Sequence, residues 1–169
     1  PNLIVKDKKG CSMAEGMRRL AEGEYDAFVT AGSTGAAVMG STFIVKRIKG
    51  VKRAALAPIM PSAKKGIMVI DIGANAECRP EMLVQFALMS SIYMEYAESV
   101  KSPKVGLLNI GVEETKGTPL QLEAYRMLKK APLNFIGNIE AREIPSGNCD
   151  IIVTDGFSGN IVLKLTEGV

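Results

Sequence analysis

The chain has 169 residues, 47% of them hydrophobic, enough to bury a sizeable core and too apolar for a disordered segment. Its formal net charge of +3 is too small to argue for a nucleic-acid partner. It contains 0 histidines, which excludes, within this sequence, a Ser-His-Asp triad, a Cys-His dyad and a His-liganded metal. In chain order, residues 11–22 read as an amphipathic helix with Met13, Met17, Leu20 and Ala21 on one face and Ser12 as N-cap. A strand at 26–31 feeds a helix over 33–47, and a short strand at 53–57 stops at Pro58-Ile59-Met60-Pro61, where two prolines remove ladder donors. A buried strand is predicted at 67–72. Pro80 opens a helix over 80–98, with Met82, Leu83, Phe86, Ala87, Met89, Ile92 and Tyr93 at helical spacing. Its methionines read as core rather than as a cofactor box. A strand at 104–110, a helix at 118–130, strands at 133–137 and 150–154 and a last helix from Ser158 complete the pattern. Strand alternates with helix, so the expected fold is α/β: one domain over 1–169 with a mostly parallel sheet and helices on both faces.

Apolar runs stop repeatedly at clusters of Gly, Asn, Asp and Thr: Ala31-Gly32-Ser33-Thr34-Gly35, Asp71-Ile72-Gly73-Ala74-Asn75, Asn109-Ile110-Gly111, Gly137-Asn138 and Thr154-Asp155-Gly156-Phe157-Ser158-Gly159-Asn160. Open α/β sheets bind ligands beyond the carboxyl ends of their strands, where glycine admits close backbone approach and a following helix N-terminus favours an anion. One shared binding edge for phosphate or an acyl phosphate is therefore expected. The binding candidates are Ser33, Thr34, Gly35, Asp71, Asn75, Asn109, Asp155, Gly156 and Ser158. Asp71 favours a turn role. Asp155 stays open between orienting a lysine, accepting a proton and satisfying backbone donors. Lys116, just past a strand end, either supplies a cation to a phosphate or oxyanion or is an ordinary loop lysine. The Asn160 amide either donates to a carbonyl oxygen or helps to cap a helix, and Asn75 and Asn109 share that ambiguity. Neither a GxGxxG nor a GxxxxGK[ST] pattern is present, which speaks against nucleotide binding.

Lys46, Arg47, Lys49, Lys52 and Arg53 form the densest positive run, either a solvated helix end or a face for an acidic partner. Cys11, Cys78 and Cys149 show no CxxC or zinc spacing and read as free thiols of a reducing cytoplasm. No apolar stretch approaches the roughly 20 residues of a membrane-spanning helix. Pro1-Asn2-Leu3 lacks the pattern of a secretion signal, and with the end at Gly168-Val169 the chain reads as a fragment of a longer protein.

Several segments, in order, resemble the phosphate acyltransferase family of bacterial phospholipid synthesis: Ala31-Gly32-Ser33-Thr34-Gly35-Ala36, Phe43-Ile44-Val45-Lys46-Arg47-Ile48-Lys49-Gly50, Asp71-Ile72-Gly73-Ala74-Asn75, Val105-Gly106-Leu107-Leu108-Asn109-Ile110-Gly111, Asn134-Phe135-Ile136-Gly137-Asn138-Ile139-Glu140-Ala141-Arg142 and Val153-Thr154-Asp155-Gly156-Phe157-Ser158-Gly159-Asn160. The resemblance implies an enzyme that moves a fatty acyl group from acyl carrier protein to inorganic phosphate, giving acyl phosphate, with no metal or cofactor. It also implies a homodimer with a fold similar to phosphotransacetylases and to isocitrate and isopropylmalate dehydrogenases. By the same resemblance Lys116 and Asn160 match catalytic positions, and the carrier protein is an acidic partner suited to the basic run. The expected location is the cytoplasm, with peripheral contact at the inner face of the membrane through a C-terminal part that is not in this sequence. The family's N-terminal Asp-Ala-Met-Gly-Gly-Asp segment is not in it either. Two alternatives accompany this reading: a phosphotransacetylase-like enzyme using acyl coenzyme A, and a non-catalytic binding or dimerisation module.

Overall fold

The computed structural model describes residues 3–6 and 10–168, which fall into two compact units divided between Ala54 and Ala55. In the first unit, α1 (Leu3–Lys6), α2 (Ser12–Ala21) and α3 (Thr34–Gly40) pack together, and α3 continues as a π-helical turn over Ser41–Val45. The α2 face meets expectation in part: Ala14 and Met17 are buried, with Ile4 beside them in the same unit. Its N-cap is Cys11 rather than Ser12, with no side-chain bond to the helix. Gly40 is needed for close approach, since a Cβ there would collide with the Met17 sulfur. The strand expected at 26–31 does not form, and Val29 is 93% exposed. An apolar run marks burial or extension equally well; a strand also needs a neighbour to complete its ladder.

The second unit is built on a five-stranded sheet in the order β1-β2-β5-β3-β4. Its strands are β1 (Ile59–Met60), β2 (Ile67–Ile70), β3 (Lys104–Asn109), β4 (Asn134–Glu140) and β5 (Ile151–Val153). β2, β5, β3 and β4 run parallel, and β1 is antiparallel on the β2 edge. The strand expected at 53–57 is displaced to Ile59–Met60, between the two prolines that confine it to a short edge piece. Residues 56–58 still follow β2, with Ile72 N–H donating to Leu56 O (3.1 Å) and Val69 N–H to Pro58 O (3.2 Å).

Strand alternation divides the core. Met68, Ile70, Val105, Leu107, Ile151 and Val153 face α4 (Pro80–Tyr96) and α5 (Pro119–Leu128), which contribute Leu83, Phe86, Ala87, Ala124 and Leu128. Ile67, Val69, Leu108 and Ile152 face the other way, toward the 3-10 turn Ala141–Ser146 and Val162 of α6 (Gly156–Glu167). Both sheet faces are thus covered by helical structure. Truncating the fully buried Phe86 to Ala would cost about 3–5 kcal/mol. The α4 stripe is narrower than predicted: Met82, Leu83, Phe86, Ala87, Ser90 and Met94 are buried, while Ile92 and Tyr93 are exposed.

At the amino edge of the sheet, buried Asp150 accepts the Lys104 N–H (2.8 Å) and pairs with Lys65, clamping the starts of β3 and β5. Gly137-Asn138 is not a strand end. β4 runs through it with a bulge: Val105 pairs with Phe135 but Gly106 pairs with Gly137, leaving Ile136 as the extra residue. Gly137 takes φ +99°, which glycine alone adopts without strain.

Candidate functional site

The carboxyl ends of β2, β5 and β3 lie side by side, so three of the Gly/Asn/Asp clusters form one edge. After β2 the chain wraps around the Asp71 carboxylate. Its Oδ1 accepts the N–H groups of Leu56 (3.0 Å), Gly73 (3.1 Å) and Ala74 (3.0 Å), and its Oδ2 accepts the Asn75 N–H (2.8 Å) and side-chain amide (2.8 Å). Asp71 is 0% exposed, and its lone pairs are spent on the turn. Asn75 is drawn into the same knot.

After β5, α6 starts at Gly156, two residues before the predicted start, and docks on that turn. Asp155 is its N-cap: Oδ1 accepts the Ser158 N–H (2.8 Å) and Oδ2 the Ser158 hydroxyl (2.9 Å). Gly156 N–H donates to Asn75 O (2.8 Å) and Gly159 N–H to Asp155 O (3.0 Å). The first-turn donors of α6 at Gly156, Ser158 and Gly159 therefore have protein acceptors. A Cβ on Gly159 would collide with Asp71 O, and one on Gly156 with Asn75 O, so these glycines permit the contact. Asn160, exposed on α6, donates from Nδ2 to Ile72 O (3.0 Å), which aims its amide over the same turn.

After β3, Asn109 ties down the loop that carries Lys116. Its Nδ2 donates to Lys116 O (3.0 Å), and its Oδ1 accepts the Ile110 N–H (2.8 Å). The Lys116 side chain lies against Gly111 and is exposed, and among the described residues its Nζ has no hydrogen-bond or ion-pair partner. Between this loop and α6 lies a cleft of about 320 Å³, lined by Asn109, Ile110, Gly117, Ser158 and Ile161, together with Thr118 and Gln121 of the α5 start. Lys116 precedes Gly117 and Asn160 falls between Ser158 and Ile161 in the chain, but neither is among the residues that line the cleft; the Asn160 amide is turned to the Asp71 turn instead. Thr118 and Gln121 were not singled out in the sequence. The signal was there: Thr118-Pro119-Leu120-Gln121 has capping-box spacing, and Thr118 N–H donates to Gln121 Oε1 (3.1 Å).

Cys78, whose thiol reaches toward Asn75 O (3.6 Å), is pushed up to about 11, chiefly by burial. Glu114, on the Lys116 loop, is held below the usual carboxylate range first by the hydrogen bond from Lys129 and then by the Tyr125 hydroxyl. Ser33, Thr34 and Gly35 lie in the first unit, where Ser33 caps α3 by accepting the Ala36 N–H (3.4 Å). Lys46, Arg47, Lys49, Lys52 and Arg53 are all exposed there, beyond the π-helical turn. No helix among the described residues is long and apolar enough to cross a membrane.

These features define a class: an α/β protein with a mostly parallel sheet and a cleft at the sheet's carboxyl edge, between the Lys116 loop and α6. The chain belongs to the family described as fatty acid synthesis protein, whose model matches residues 1–169. It is 54% identical over all 169 residues to the phosphate acyltransferase of Clostridium tetani and 50% identical to that of Alkaliphilus oremlandii. It covers 51% and 50% of those proteins and so spans about half the length of the curated relatives it matches. Among solved structures, it is similar to the EutD phosphotransacetylase from Staphylococcus aureus (TM-score 0.70, 20% identity) and to a phosphotransacetylase from Streptococcus pyogenes (TM-score 0.72, 18% identity). Each match covers 91% of this chain and 54% of the other, and at these identities it speaks to the α/β fold.

Proposed function

We propose that this chain carries the phosphate-side machinery of an acyltransferase that moves a fatty acyl group from acyl carrier protein to inorganic phosphate. The observation that carries this reading is the carboxyl edge of the sheet, where the Lys116 loop and α6, which bears Asn160, border one cleft and the Lys116 cation has no partner among the described residues, in a chain about half identical to proteins named phosphate acyltransferase. A phosphate oxygen attacks the thioester carbonyl, a C–O bond forms, and the carbonyl becomes a tetrahedral oxyanion. Collapse breaks the C–S bond and releases the carrier thiolate, which takes a proton from solvent. Phosphate is a competent nucleophile near neutral pH and a thiolate leaves well, so the protein's work is to hold two anionic reactants together and stabilise charge. Lys116 supplies the cation. Asn160 uses one amide hydrogen on Ile72 O and has a second for the oxyanion. No histidine, metal or cofactor is needed for this chemistry.

In this reading Asn75, Asn109, Gly156 and Ser158 shape the phosphate and substrate site, while Asp71 and Asp155 hold its backbone; Ser33, Thr34 and Gly35 are substrate contacts of the first unit, at the start of α3. The basic run Lys46–Arg53 meets the acidic carrier protein. A homodimer working in the cytoplasm, with peripheral contact at the inner membrane face, completes the proposal. The test is formation of acyl phosphate by the full-length protein from acyl carrier protein thioester and phosphate. An absolute requirement for NAD, or for coenzyme A as acyl acceptor, would overturn it. The fold similarity to two phosphotransacetylases supports a second reading, in which acyl coenzyme A is the donor. Donor preference in the same assay separates the two.

A further inference from the structure

We infer that Asn138 is the positioning residue of the Lys116 loop, and that the β4 bulge exists to aim it there. The inference rests on the role proposed for Lys116 and extends it to a residue in another strand. Asn138 is 5% exposed, an unusual place for an amide. Its Nδ2 donates to the Glu113 carbonyl oxygen at 2.8 Å, and that same oxygen accepts the Lys116 N–H at 3.1 Å. A single carbonyl thus links a buried strand residue to the backbone of the lysine. Asn109 holds the other side of Lys116 through its carbonyl (3.0 Å), so the residue is gripped from both directions while its ammonium has no partner among the described residues.

The bulge explains how the amide gets there. Phe135 packs on the sheet face covered by α4 and α5. In an unbroken strand Gly137 and Ile139 would follow it on that face. The extra residue at Ile136 shifts the alternation: Asn138 comes opposite Leu107, which faces α4 and α5, and Ile139 comes opposite Leu108 on the other face. Without the bulge Asn138 would point away from the Glu113 carbonyl. Bulges re-aim side chains next to active sites in this way. The arrangement has a stability cost, since Asn138 Oδ1 is buried with no hydrogen-bond partner among the described residues. A leucine there would remove that cost together with the amide's bond to the Glu113 carbonyl, so stability and loop positioning respond to it differently.

That difference supplies the test. In the full-length protein, Asn138→Leu should leave the thermal midpoint unchanged or raised, yet lower acyl phosphate formation by about 10- to 100-fold, the loss expected of a displaced catalytic group. Hydrogen exchange at the Lys116 amide should speed up in the same variant. In a Lys116→Ala background, Asn138→Leu should cause no further loss of turnover, because both changes remove one function. Asn138→Ala, if Leu proves too large for the site, should repeat this non-additivity. Equal fractional losses in the native and Lys116→Ala backgrounds, or native turnover in Asn138→Leu, would overturn the positioning role. Native turnover in Lys116→Ala alone would instead overturn the catalytic reading of Lys116, and the positioning role with it.

Discussion

Replacing Asp71 with Ala tests whether its carboxylate is structural or ligand-binding. Its two oxygens accept five hydrogen bonds, from Leu56, Gly73, Ala74 and both donors of Asn75. Leaving a buried donor unpaired costs about 1–3 kcal/mol each, which would sum to roughly 5–15 kcal/mol. Gly73, however, is exposed and Ala74 and Asn75 are half-buried, so water can replace the carboxylate at three of the N–H groups. The cost that remains is the Leu56 donor, the Asn75 amide and the loosened seat of α6, which hangs on this turn through Gly156 N–H to Asn75 O and Asn160 Nδ2 to Ile72 O. We expect Asp71→Ala to lose about 3–5 kcal/mol, at the large end of single-substitution losses, where breaking a buried hydrogen-bond network belongs. Urea unfolding of the chain followed by far-UV circular dichroism measures it. A loss under about 1 kcal/mol, no more than one ordinary hydrogen bond, together with weakened phosphate binding, would refute the turn role and make Asp71 a ligand group.

Gly159→Ala should destabilise the chain by about 1–3 kcal/mol or more, because its Cβ meets the rigid Asp71 carbonyl; a neutral unfolding midpoint would show that α6 can move off the turn. Lys116→Ala should cut turnover of the full-length protein by about 10²–10³-fold with little change in unfolding, since the side chain is exposed; native turnover would make it an ordinary loop lysine. Reversing Lys46 and Lys49 to Glu should slow association with an acidic carrier protein, and the defect should shrink as salt rises; equal on-rates at low salt would reduce the run to a solvated surface. Burial raises the Cys78 thiol to about 11, so the protonated, unreactive form prevails until the pH approaches that value, and alkylation followed by mass spectrometry should stay slow at pH 8 and climb through the alkaline range. Alkylation of Cys78 at pH 8 at the rate of a free thiol would contradict its burial.

The elements most legible in the sequence were those with local markers. Pro80 and Pro119 stand at helix starts, and α4 and α5 begin there. The runs Ile67–Ile70 and Ile151–Val153 are strands buried along their whole length, as continuous apolar runs in parallel sheets are. Asp71 in Asp-Ile-Gly-Ala-Asn favoured a turn, and its bonds to Gly73, Ala74 and Asn75 are local ones. The errors fell where a local pattern had two meanings. Phe28-Val29-Thr30 forms no strand, and Gly137-Asn138 is an interruption inside β4 rather than its end.

What the sequence by itself determined is local conformation: which segments are helical, which are buried strands and where the chain must turn, because periodicity, proline and glycine act within a few residues. It also determined the chemistry on offer, a lysine and several amides without a histidine. Only the tertiary structure decided who stands next to whom. The last strand, β5, inserts between β2 and β3, and that order sets α6 on the Asp71 turn and across the cleft from the Lys116 loop. Strand order depends on which apolar faces bury best together over long separations, and no residue's own periodicity names its partner. The bulge that turns Asn138 toward Glu113 is of the same kind, since one extra residue in β4 has meaning only against the register of β3.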